Sequence, residues 1–163
     1  MGLESYSFLL LANETEVKIE NTYRKLKGVS QITVKEIEKQ LSKICKKKEN
    51  TYLYNKILDV YILENNGYFQ GINVKGSISC YSKGIEESFH LYQQINKIIP
   101  VSICITNEKE EFNNLSEFKE RMLSENIDKI NIFRNQYGEK EFNVSIKNFY
   151  KIIKKRNLLK KYI

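Results

Sequence analysis

Asn66-Gly67 stands between two runs of alternating apolar residues, and no other pair in the chain restricts the fold as tightly. Asn-Gly supplies the two successive positive φ values of a type I′ turn, whose twist matches that of the strands it joins. Leu58, Val60 and Ile62 precede it at period two, and Ile72, Val74, Ile78 and Cys80 follow at period two. The spacing predicts a long hairpin over residues 52–82. Gly76 shares the apolar face of the second strand, while Asn73, Lys75, Ser77 and Ser79 fall on the other. One face is therefore buried and the other wet.

Helices are expected on both sides of this hairpin. Thr33-Val34-Lys35-Glu36 has the form of a capping box, and Val34, Ile37, Leu41 and Ile44 keep to one stripe, which predicts a helix over 34–48. Ile85, Phe89, Tyr92, Ile95 and Ile99 recur at three- and four-residue intervals as far as Pro100, which drives Ile99 out of the α region and ends a second helix. Val101 to Thr106 alternates as a strand, and the run Phe8-Leu9-Leu10-Leu11-Ala12 places a buried strand over Tyr6 to Leu11.

Strand, helix, strand, strand, helix, strand is the order of an α+β fold with a ferredoxin-like βαββαβ core, an antiparallel sheet with helices on one face. Residues 1–107 are expected to form that core within a single domain spanning 1–163. Residues 108–163 are expected as a helix-strand-helix extension. Asn114-Leu115-Ser116-Glu117 resembles a capping box for a helix reaching about Asn126, Lys129 to Arg134 reads as a strand, and Ser145 as the cap of a terminal helix. Residues 15–27 fit two patterns, Val17/Ile19 as a strand and Ile19/Tyr23/Leu26 as a helix.

A chain of 163 residues can bury roughly 70% of its unfolded surface without staples. One Pro and seven Gly argue against extended disorder, and nothing resembles an interdomain linker. The opening MGLESYSFLLLA has no basic leader, and its apolar run is too short for a signal or a membrane span. Cys45, Cys80 and Cys104 are odd in number and dispersed, which suits buried thiols in a reducing compartment, so a cytoplasmic location is expected. The heavy use of Lys, Ile and Asn is that of an AT-rich coding sequence and gives the chain a bacterial character.

Catalytic signatures are weak. His90 is the only histidine and sits in the second helix between Phe89 and Leu91, where a structural role is expected. Asp59 and Asp128 are the only aspartates and are isolated from other carboxylates, apart from Glu125 near Asp128, so no metal site is expected. Gly71 and Gly76 have the glycine spacing of a phosphate loop, but Ser77-Ile78 follows where Lys-Ser/Thr is required. Ser116-Glu117-Phe118-Lys119 has S-x-x-K spacing without its partner motifs. The sequence thus implies no cofactor, and points away from an enzyme.

Charge is distributed unevenly. Lys147 to Ile163 holds seven cationic side chains and no acidic one, equal to the whole net charge of +7. On a helix Lys147, Lys151, Lys154 and Lys155 share a side, while Ile146, Phe149, Tyr150 and Ile153 occupy another; Arg156, Lys160 and Lys161 extend the cationic end. Such a segment suits a docked terminal helix with solvated lysines, or contact with a polyanion. Tyr61 and Lys75 are expected on the open face of the sheet, where aromatic and cationic side chains can meet a ligand. The expected function is a small non-catalytic protein-interaction module, of immunity or inhibitor type, with a protein partner. The alternative is a nucleic-acid binder using the basic helix; a membrane partner is not expected, and the oligomeric state is left open.

Overall fold

The computed structural model describes residues 5–138 together with Lys151, Lys154 and Lys155. These residues build a mixed α/β fold with three helices on one antiparallel sheet. The strands are β1 (Ser5–Ala12), β2 (Glu16–Glu20), β3 (Tyr23–Lys27), β4 (Lys46–Lys47), β5 (Tyr52–Tyr54), β6 (Leu58–Asn65), β7 (Tyr68–Ser77), β8 (Val101–Cys104) and β9 (Lys109–Glu110). The helices are α1 (Val34–Leu41), α2 (Tyr81–Ile98) and α3 (Leu115–Tyr137). Seven strands lie in the order β4-β5-β6-β7-β1-β8-β9, and β2 and β3 form a separate two-stranded ribbon. The sheet is therefore wider than the four strands expected, by β4 and β5 on one side and β9 on the other.

The hairpin is present, with Asn66 at φ 52° and Gly67 at φ 80°. It is shorter than residues 52–82, because Asn55 and Lys56 also take positive φ and fold Tyr52–Tyr54 back onto β6 as a separate strand. At the other end Ile78–Cys80 is a 3₁₀ turn started by Ser77, whose hydroxyl accepts from the Ser79 amide. Pleat parity holds across the sheet. Ile62 faces Ile72, Val60 faces Val74 and Leu58 faces Gly76, while on the next strand Phe8 faces Val74 and Leu10 faces Ile72 and Ile103. These side chains form one core with Ile37 and Leu41 of α1, Ile85, Phe89, Leu91 and Ile95 of α2, and Phe118, Met122, Ile130 and Phe133 of α3.

Both capping predictions are met. The Glu36 amide donates to Thr33 Oγ1 at 3.3 Å, and the Thr33 amide to Glu36 Oε2 at 2.9 Å. Asn114 Oδ1 accepts from the Glu117 amide at 3.0 Å, and the Glu117 carboxylate reaches back to the Asn113 amide at 2.9 Å. α1 nevertheless stops at Leu41 rather than residue 48. Ser42 turns its hydroxyl onto the Glu38 carbonyl at 2.8 Å, and Lys46–Lys47 are drawn out as the partner strand of β5. α2 ends as expected, with Ile99 extended at φ −144° and ψ 132° before Pro100.

The expected strand at Lys129–Arg134 is not formed, since α3 runs unbroken through it. The reason is a stripe at helical spacing: Phe118, Met122, Asn126, Ile130 and Phe133 are all buried. Asn126 interrupts the stripe chemically but not structurally, because its Nδ2 donates to the Met122 carbonyl at 2.8 Å. The proposed Ser145 cap lies outside the described residues.

Residues 15–27 are the β2–β3 ribbon. Asn21 and Thr22 supply φ values of 50° and 70°, a positive-φ turn without glycine. Its base is clasped where Gln70 Nε2 donates to the Gly28 carbonyl at 3.1 Å and Thr15 Oγ1 to the same oxygen at 3.3 Å. Gly28 is required there, since it has φ +87° and a Cβ would stand 2.0 Å from the Glu14 carbonyl oxygen.

Candidate binding surface

The outward face of the sheet follows from the same parity. Across β6, β7 and β1 it presents Asp59, Lys75 and Ser7 in one row, and Tyr61, Asn73 and Leu9 in the next, continued by Cys104 of β8. Tyr61 and Lys75 are thus diagonal neighbours on adjacent strands, brought together as the alternation of residues 58–80 requires. Both are half-buried, as are Leu9 and Asn73. The Asn73 side-chain oxygen is closed off from solvent without a hydrogen-bond partner. Of the cationic end, Lys151, Lys154 and Lys155 are helical and exposed. Lys147, Arg156, Lys160 and Lys161 lie outside the described residues.

One end of this face is crossed by the ribbon. Val17 pairs with Leu26 and Ile19 with Arg24, so these four share a ribbon face. Val17 and Leu26 are half-buried. Arg24 donates from its guanidinium to Cys104 Sγ at 3.7 Å and to the Thr106 carbonyl, pinning the ribbon over β8. Beyond that anchor Ile19 remains 61% exposed, and on the opposite ribbon face Tyr23 is 76% exposed. The sequence marked both only through alternative strand and helix patterns, with no binding role. The available signal was Asn21 between two five-residue stretches of alternating character.

The two outer edges of the large sheet are guarded. Each ends in a two-residue strand bearing lysine, Lys46–Lys47 on one side and Lys109–Glu110 on the other. Lys109 is further tied down by bonds to the Ala12 and Asn13 carbonyls at 3.2 and 2.9 Å. The ribbon strands add an unpaired edge of five residues each.

The titratable groups show what this chemistry can do. Burial pushes the Cys45 thiol up to about 11. Burial also raises Cys104, against the opposing effect of the Arg24 guanidinium. Both thiols are protonated at neutral pH, which disfavours them as nucleophiles. His90 is on the exposed side of α2 rather than in the structural position expected. Gly71 to Gly76 is strand, with Gly71 letting β7 approach Leu10 and Leu11 closely, so its glycine spacing serves packing. No helix among the described residues is long and apolar enough to cross a membrane. In comparisons with known proteins the chain matches no family model, no curated protein and no solved structure at a significant level.

Proposed function

We propose that this protein is a non-catalytic interaction module that acts by occluding a protein partner, in the manner of immunity or inhibitor proteins, and that the ribbon makes first contact. The observation that supports this is the pairing of a firm anchor with an exposed tip: Arg24 holds the ribbon to Cys104 and Thr106, while Tyr23 and Ile19 project into solvent. A tyrosine presented on a pre-positioned element costs little entropy to immobilise and is a frequent interface anchor. The unpaired ribbon edges add a means of strand pairing. In this reading the order β6-β7-β1-β8 represents a ferredoxin-like core, widened by β4, β5 and β9, and the cytoplasm is the compartment that suits three unbridged cysteines.

The test is affinity capture from native lysate with wild type and an Ile19→Ser/Tyr23→Ser variant, which leaves the core untouched. A stoichiometric partner retained by wild type and lost with the variant is expected. Equal retention by both would remove the ribbon from the interface.

A second reading, nucleic-acid binding by the basic end, is favoured by the helical, exposed Lys151, Lys154 and Lys155. It requires a salt-dependent affinity whose slope decreases when the chain is truncated after Asn148. An unchanged slope would exclude that role for the tail.

A further inference from the structure

We propose that the segment Glu139 to Ile146 of this chain docks in an apolar hollow between α2 and α3, with the Phe142 ring as its anchor. The hollow measures about 240 Å³ and shares no residue with the ribbon. Tyr81 and Ile85 of α2 and Leu123 and Ile130 of α3 line it, together with Lys119 and Arg134. A cavity of about 150 Å³ accepts a benzene ring, so there is room for one aromatic side chain. Leu123 is 45% exposed, and Ile127, one turn further along α3, is 39% exposed. Two large aliphatic side chains on one flank of a helix leave its packing surface incomplete.

The exit of the chain from α3 selects the occupant. The Gly138 amide donates to the Arg134 carbonyl at 2.7 Å, and its φ of 80° is one that glycine adopts readily. A Cβ on Gly138 would meet nothing within 4 Å, so the glycine serves the direction in which the chain leaves the helix rather than close packing. That exit is one turn beyond Arg134, a residue of the hollow. The next eight residues, Glu139 to Ile146, carry Phe142, Val144 and Ile146 at period two. In extended form eight residues reach about 26 Å, and Leu123 lies about 22 Å back from Gly138 along the helix. The segment is therefore long enough to follow the hollow from end to end.

Charge and tethering favour this occupant over others. A segment that passes Arg134 first brings Glu139 and Glu141, whereas the run from Lys147 onward has cationic side chains and no acidic one, and is repelled by Arg134 and Lys119. Exposed ion pairs add little strength, so the carboxylates set direction while Phe142 and Val144 supply the affinity. A segment joined to the hollow by a short stretch of chain acts at millimolar effective concentration, which a second copy or a separate protein seldom reaches.

The test is nuclear Overhauser spectroscopy on the isotope-labelled full chain. Contacts from the Phe142 ring to the methyl groups of Leu123 and Ile130 are expected, and none between labelled and unlabelled molecules in a mixed sample. Leu123→Asp places a charge on an exposed position of the hollow and should release the segment, so that amide exchange over residues 142–146 accelerates at least about tenfold. Ile132 is a second exposed apolar residue, at 36%, and helical geometry puts it on the opposite flank of α3. Ile132→Asp should leave both readouts as they are in wild type. The proposal is overturned if Phe142 makes no contact with the hollow, if the contacts are intermolecular, or if Leu123→Asp changes exchange no more than Ile132→Asp does.

Discussion

The Tyr6 hydroxyl occupies the space into which a side chain on Gly84 would grow, since a Cβ there would stand 2.3 Å from that oxygen and 3.4 Å from Cζ. Gly76 approaches the same ring differently: its Cβ would meet both Cζ and the hydroxyl at 2.3 Å, and Cε1 at 2.8 Å. β1 and α2 close on each other because two glycines admit one tyrosine. The neighbouring Ser88 hydroxyl donates to the Gly84 carbonyl at 2.7 Å.

The difference between the two glycines is testable by a double-mutant cycle. Gly84→Ala alone should cost about 1–3 kcal/mol through overpacking. Tyr6→Phe removes the atom that collides, so Gly84→Ala in that background should be neutral or stabilising, helped by the better helix propensity of alanine, about 1 kcal/mol. Gly76→Ala should not be rescued by Tyr6→Phe, because ring carbons still obstruct it. Urea denaturation of the five variants measures each term, and equal rescue of both glycines would refute the geometry.

Phe118 holds α3 to the rest of the core. Its ring lies 5.6 Å from Phe8, 5.5 Å from Phe89 and 5.5 Å from Phe112, centroid to centroid. Phe118→Ala should therefore cost about 3–5 kcal/mol in equilibrium denaturation, the range for a large aromatic removed from a packed core. A loss under about 1 kcal/mol would mean that α3 is peripheral.

Cys45 should make the fold sensitive to alkali. Its thiol is raised to about 11 in the folded chain, against about 8.5 when unfolded. The folded state therefore binds the proton more tightly. The stability this provides is complete below the unfolded value and is lost as pH climbs through the folded one. The urea midpoint should fall between about pH 8.5 and about 11, more steeply in wild type than in Cys45→Ala. Parallel slopes in the two proteins would show that the thiol does not contribute.

Removing the ribbon anchor should have a local effect. Arg24→Ala cuts the contacts to Cys104 and Thr106 but leaves the Gly28 clasp. Amide exchange across Val17 to Leu26 should accelerate at least about tenfold, while global stability moves by less than about 1 kcal/mol. If exchange in the ribbon is unchanged, the arginine is not its tether.

What the residues announce in advance depends on how each turn is made. Asn66-Gly67 carries a glycine and was legible; Asn21-Thr22 and Asn55-Lys56 reach positive φ without one, so the ribbon and the separate strand β5 were not. α3 was cut short in the reading because Asn126 stands in its apolar stripe and Ile130/Ile132 imitate strand alternation. A single bond from Asn126 to the Met122 carbonyl removes the penalty that would have ended the helix. Tyr61 and Lys75 were placed correctly because pleat parity is a local property.

The position of β1 has a consequence for how the chain acquires its structure. β1 lies in the interior of the sheet, yet its partners are Gly71–Ser77 of β7 and Val101–Cys104 of β8, both far downstream. Pairings this distant in sequence carry a large loop-closure cost, and they slow folding. Phe8-Leu9-Leu10-Leu11 must therefore remain without its first neighbour until Ser77, and without its second until Cys104, has been synthesised. During that interval the most apolar stretch of the described chain is the one most exposed to misassociation, and a chaperone that shields it would raise the yield of native protein more than one acting on the hairpin.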